Sequence, residues 1–146
     1  MPSTIVNQRK NIQGFTLIEI MVVVVVIALL GAMIAPTLFS KVQQAEETRI
    51  AQDIRTIESA LKFYRLDNYR YPSQTEGLTA LHDKPANADR WNGPYLEDMP
   101  EDPWGVPYQY RYPGTHGKDI DVFTYGANNQ EGGEGSEQDW GNWNIR

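Results

Sequence analysis

Apolar positions fall into three regimes along this chain. From Gly14 to Phe39 they are almost continuous, with Val22 to Val26 unbroken and a single formal charge, Glu19, in roughly 25 residues. About 20 apolar residues are enough to cross the hydrocarbon of a bilayer as a helix. Val22 to Ile27 are β-branched and would favour a strand in water. A lone segment in lipid must pair its own backbone groups, and that selects the helix. Pro36 falls inside it and offers no N–H to the carbonyl of Ala32, so a kink or local opening is expected there. Plain tolerance of the proline is the blander alternative.

The second regime begins after Phe39. Val42, Ala45, Ile50, Ile54, Ile57, Leu61 and Tyr64 recur mostly three or four residues apart, while Gln43, Glu46, Glu47, Arg49, Asp53, Arg55 and Glu58 fill the opposite face. One helix is therefore predicted from Phe15 to about Asp67. Residues 15–39 are apolar all round, and residues 40–67 are amphipathic and packed on a domain. Asp67 to Pro72 ends it.

The third regime is short-range. Ser73-Gln74-Thr75-Glu76 reads as a capping box, predicting a short helix over 74–82. Pro85 to Pro103 is dense in proline, glycine and asparagine and reads as loop, pinned by Trp91, Tyr95 and Leu96. Tyr108, Tyr110 and Tyr112 alternate with polar residues, Pro113 to Gly117 supply a turn, and Asp119 to Tyr125 follow as a partner strand. These predict an antiparallel hairpin over about 106–125. The tail from Gly126 carries acids, amides and glycines, but Trp140, Trp143 and Ile145 argue that it docks on the body. The fold class is α+β, a long helix packed on a small antiparallel sheet.

Charge and composition narrow the function. The net charge of the 146 residues is −6. Nucleic acid requires a basic footprint, which is missing. Arg9 and Lys10 precede the span, so the positive-inside rule puts residues 1–14 in the cytoplasm and the domain on the far side. A cleavable secretory signal has an apolar run of 7–15 residues closed by a small-residue site. This run is longer and continues into Phe39-Ser40-Lys41-Val42. The exported domain has no cysteine, so a bound metal is one remaining way to brace it. No nucleophile–base pair, phosphate loop or zinc spacing occurs, and His82 and His116 read as surface residues, so the chain is expected not to be an enzyme.

Two groups of residues invite chemistry. A carboxylate at mid-bilayer costs about 2.5–3.5 kcal/mol by insertion scales and less near the start of the span, where Glu19 stands and can meet a cationic partner. The tail offers Asn128, Glu131, Glu134, Ser136, Glu137 and Asp139 as oxygen donors of the kind calcium takes. Its spacing matches no EF-hand, and a solvated acidic loop is the plainer reading of composition alone.

Gly14-Phe15-Thr16-Leu17-Ile18-Glu19 resembles the processing site of type IV pilins and their relatives. The resemblance implies that a membrane prepilin peptidase cuts between Gly14 and Phe15 and methylates the new amine of Phe15. Glu19, then the fifth residue, could meet the amine of its own chain one turn away or that of a neighbouring subunit; the resemblance implies the neighbour's, and it implies that the helix melts around Pro36 in the fibre. Asp102-Pro103-Trp104-Gly105, Gly126-Ala127-Asn128, Glu131-Gly132-Gly133-Glu134-Gly135 and Gly141-Asn142-Trp143-Asn144 are similar to the major pseudopilins of type II secretion. That resemblance implies a C-terminal calcium loop over 125–146, with a structural calcium ion held by the carbonyl of Tyr125, by Asn128 and by oxygens of Gly133, Ser136 and Asp139. Asn128 departs from the family's usual aspartate, and Asp139-Trp140 from its common Asp-Ile pair. The resemblance further implies an inner-membrane subunit with a periplasmic domain. It would polymerise through its N-terminal helix into a fibre that drives folded proteins out, with minor pseudopilins and inner-membrane assembly components as partners. A surface-fibre type IV pilin and a monomeric membrane-tethered calcium module are the alternatives. The missing cysteines count against the former, because many such pilins close their C-terminal region with a disulfide.

Overall fold

The structure, a computed structural model, describes residues 14–145, except for the side chain of Pro36. Residues 1–13 of the expected leader lie outside it. The chain divides after Phe39 into two compact units. Helix α1 (Leu17–Asn68) contributes to both, and its assignment continues through Pro36.

In the first unit every described side chain is exposed, with Val22 to Val26 at 48–58%. Nothing within that unit buries them. In the second unit α1 turns one stripe inward: Ile50, Ile54, Ile57, Leu61 and Tyr64 are fully buried. Their spacings of four, three, four and three keep them on one face. Val42 and Ala45, expected at the head of this stripe, are exposed, so the core begins two turns later, at Ile50.

The end of α1 is costly. Tyr69 donates its N–H to the Arg65 carbonyl at 2.8 Å with φ at 58°, the left-handed cap position that glycine usually fills. A side chain there costs about 1–2 kcal/mol. The capping box follows as expected: Ser73 donates its N–H to Glu76 Oε2 at 2.6 Å, and Glu76 donates its N–H to Ser73 Oγ at 3.2 Å. It does not start an α-helix over 74–82. Gly77 takes φ 59° after a single turn, and the chain re-forms as a short 3-10 helix, Leu78–Leu81, which buries Leu78, Ala80 and Leu81.

No regular element occurs from there to Tyr108, and the expected pins hold the loop. Trp91 donates Nε1–H to the Ala80 carbonyl at 2.8 Å, and Tyr95 donates its hydroxyl to Asp67 at 2.8 Å. Asp102 fixes the Asp-Pro-Trp-Gly turn. Its Oδ1 accepts the N–H groups of Trp104 and Val106 at 3.0 and 2.8 Å, while its Oδ2 accepts the Thr124 hydroxyl at 2.5 Å. The turn is thereby tied to the sheet.

That sheet has three strands in the order β1 (Gln109–Arg111), β2 (Asp121–Thr124), β3 (Trp140–Gly141), all antiparallel. Tyr110 faces Val122, and Phe123 faces both Gln109 and Gly141. Central β2 is buried at all four positions. Tyr108 and Tyr110 point into the core, but Tyr112 is exposed because β1 has already ended. Sequence patterning anticipated the hairpin but not β3, through which the tail docks, with Trp140 and Ile145 packed against the core.

Candidate functional site: an apolar helix and an oxygen-rich loop

The Gly14–Phe15 junction lies just before α1, outside regular structure, and Phe15 is exposed. A peptidase needs a peptide free of helical hydrogen bonding, and this one is. Thr16 then starts the helix: its Oγ1 accepts the N–H of Glu19 and its carbonyl accepts that of Ile20, both at 3.3 Å. Glu19 thus stands in the first turn, where the helix dipole favours an acid. Thr16 as a cap escaped the sequence reading, although Thr-x-x-Glu is a recognised signature. From Leu17 to Phe39 the described side chains are all exposed and, Glu19 and Thr37 apart, apolar, far beyond the patch a soluble monomer exposes. Among the described residues, α1 is the one helix long and apolar enough to cross a membrane.

The second feature is the loop from Tyr125 to Asp139. Its backbone crosses itself at very short range. A Cβ on Gly126 would stand 2.7 Å from the Ser136 carbonyl oxygen, and one on Gly133 would stand 2.4 Å from that of Glu137. Both glycines have positive φ, which permits these crossings. Ala127 donates its N–H to the Ser136 carbonyl at 2.8 Å, and a 3-10 turn, Gly135–Glu137, leads into β3.

The five residues expected to hold a metal are placed differently within it. Asp139 Oδ2 accepts the Gly132 N–H at 3.0 Å, whereas its Oδ1 is buried with no partner. Leaving a buried carboxylate oxygen unmatched is expensive, and a cation would satisfy it. Asn128 Oδ1 accepts the Gln130 N–H at 3.0 Å on the exposed side. Ser136 donates its hydroxyl to Glu46 at 2.9 Å, which ties the loop to α1. Tyr125 packs its ring edge-on to Phe123 and leads the chain into the loop, and Gly133 forms the second crossing. Among the described residues, no three His, Cys, Asp or Glu side chains converge as a metal cluster. A cation here would rely on one carboxylate and on amide, hydroxyl and carbonyl oxygens, a donor set that suits calcium rather than zinc.

A third cluster was not anticipated. His116 stacks on Trp143 at 3.6 Å and its Nδ1 lies 2.9 Å from Asp121 Oδ2, so it is held in place rather than free on the surface. Burial alone would push the Asp121 carboxyl up. Hydrogen bonds from the Thr115 N–H, from His116 and from the Thr115 hydroxyl outweigh that and hold it below its ordinary value. This cluster ties the β1–β2 turn to the tail.

Comparison with known proteins agrees with this architecture. Residues 37–143 match the model of the type II secretion system protein G family, and residues 9–35 match the prokaryotic N-terminal methylation motif. The type II secretion system core protein G of Vibrio cholerae is 48% identical over 143 residues, covering 96% of this chain and 97% of that one. Its counterpart in Pseudomonas aeruginosa is 47% identical over 140 residues, covering 93% and 98%. The crystal structure of the major pseudopilin from the type 2 secretion system of enterohaemorrhagic Escherichia coli superposes with a TM-score of 0.65 at 37% identity. It covers 74% of this chain and 95% of that one. The chain belongs to the type II secretion system protein G family, whose members are structural pseudopilin subunits and not enzymes.

Proposed function

We propose that this protein is the major subunit of a type II secretion pseudopilus. It is held in the inner membrane by α1 with residues 40–146 in the periplasm, and it is cut between Gly14 and Phe15 by a prepilin peptidase. It then polymerises with copies of itself, capped by minor pseudopilins and driven by inner-membrane assembly components, into a fibre that moves folded proteins outward. The observation that carries this reading is the wholly exposed apolar half of α1 following a processing junction in non-helical backbone. In the membrane that surface is solvated by lipid, and in a fibre by the same surface of neighbouring subunits. Moving between those two states costs little hydrophobic energy. The pairing of Glu19 with the amine of Phe15 on a neighbour then supplies register, because a charge buried without its partner is penalised. The surface-pilin alternative loses ground to the family match.

We further propose that the 125–139 loop holds calcium. Asp139 would be the charged ligand, with Asn128, Ser136 and the carbonyls of Tyr125 and Gly133 as neutral donors. The ion would supply the positive charge that Asp139 Oδ1 lacks and brace the tail against α1 through Ser136 and Glu46. The test of the main reading is complementation. Expressed in a type II-secreting bacterium deleted for its own core protein G, this chain should restore export of folded enzymes, and the Gly14→Asp variant should not. Equal restoration by both would remove the processing step and the fibre with it.

A further inference from the structure

We propose that the cationic, aromatic face at the C-terminal end of α1 is a docking surface for the acidic loop of a second copy of this chain. The inference rests on the fibre reading above and specifies a contact between globular domains. Lys62, Arg65, Leu66, Tyr69 and Tyr71 line an open hollow of about 640 Å³. Leu66, in the last turns of α1, and Tyr69, just past its end, are 69% and 77% exposed. Lys62 and Arg90 make no ion pair among the described residues, and the Arg90 guanidinium lies over the Tyr69 ring at 5.0 Å. Arg65 is ion-paired with the exposed Asp119 at 3.2 Å, so Lys62 and Arg90 are the cations this face keeps unmatched among the described residues, on a chain of net charge −6.

Tyr69 adds a separate argument. It sits at φ 58°, where glycine would be unstrained, and its ring stays in solvent. Strain kept at an exposed bulky side chain marks a place where that side chain is used. Among the described residues its ring is held by the Arg90 guanidinium alone of the charged and aromatic groups.

The occupant follows from charge complementarity. Residues 126–145 hold Glu131, Glu134, Glu137 and Asp139 and no lysine or arginine. The three glutamates are exposed. Ser136 fixes this loop beside Glu46, whereas the positive face is built on Lys62 and Arg65. Sixteen residues of α1 separate Glu46 from Lys62, about 24 Å at 1.5 Å per residue. The acidic loop therefore cannot reach the positive face of its own chain. Two complementary patches at different places on one molecule make a heterologous contact, which builds open filaments rather than closed dimers. The charges would set register, and Leu66 and Tyr69 would supply the apolar contact.

The test uses the full chain in secreting cells. Lys62→Glu and Glu134→Lys should each lower fibre yield several-fold, and the double reversal should restore it. The chain has no cysteine, so Leu66→Cys with Glu134→Cys should give an oxidative ladder of multimers that neither single variant gives. Tyr69→Gly should raise the Tm of residues 40–146 yet reduce fibre yield, which separates docking from folding. Abundant fibres with no ladder and no rescue by the double reversal would overturn the contact and leave the fibre reading intact. Absence of wild-type fibres and of secretion would remove the fibre reading, and this contact with it. Loss of secretion in Lys62→Glu at normal fibre yield would assign the face to a different partner and also overturn it.

Discussion

Replacing Glu76 by glutamine probes how the end of α1 is locked to the domain. Arg70 donates to both oxygens of Glu76, at 2.6 and 2.7 Å, and the Ser73 N–H adds a third bond at 2.6 Å. Chiefly through the Arg70 hydrogen bonds, and against burial, the Glu76 carboxyl is lowered from the ordinary 4.5 to about 2. Each unit is worth about 1.4 kcal/mol, so the shift sets a ceiling of about 3.4 kcal/mol. Arg70 is about a third exposed, and solvent screening reduces the realistic figure to about 1.5 kcal/mol. The folded-state value is depressed, so this stability is fully present above about pH 4.5 and is lost as pH falls through 2. Urea denaturation of residues 40–146, a unit with its own core, measures it. Glu76→Gln should cost about 1.5 kcal/mol at pH 7, and the gap between variant and wild type should shrink steadily below pH 4.5. A gap that stays constant down to pH 2.5 would refute the electrostatic reasoning and leave only a lost hydrogen bond.

Three further outcomes are expected. Ile54→Ala empties a fully buried position and should lower stability by about 2–4 kcal/mol in the same urea assay. Glu19→Ala should still insert in the membrane but give few fibres, as read by fractionation and electron microscopy; normal fibres would contradict its assigned pairing. Calcium at a hundredfold excess over its Kd should add about 2.7 kcal/mol to residues 40–146. That is a Tm rise on the order of 10 °C over the chelated protein, lost in Asp139→Ala; an unchanged melt would mean that Asp139 Oδ1 has some other partner.

Long periodic stretches were the most legible in the sequence. The stripe from Ile50 to Tyr64 could be read because eleven or more residues repeat one spacing, and the apolar run before it because nothing but lipid or like helices accepts such a segment. The alternation through Tyr108 and Tyr110 gave the hairpin. Two-residue β3 was not readable, since Trp140-Gly141 carries no period and its partner lies far back in the chain. The helix expected after Ser73 failed on Gly77, whose left-handed φ outweighs a well-formed capping box. His116 looked like an ordinary turn residue because Asp121 and Trp143 meet it only in three dimensions. The same holds for the candidate ion loop: composition suggested oxygen ligands, but only folding shows that Asp139 keeps one buried oxygen unmatched while Asn128 and Ser136 are already engaged.

The most direct measurement is the mass of the chain recovered from purified fibres of secreting cells. The expected result is fibres built from a polypeptide that begins at Phe15 and carries one methyl group on its terminal amine. Fibres made of another protein, with this chain left uncut in the membrane, would contradict the account at its centre.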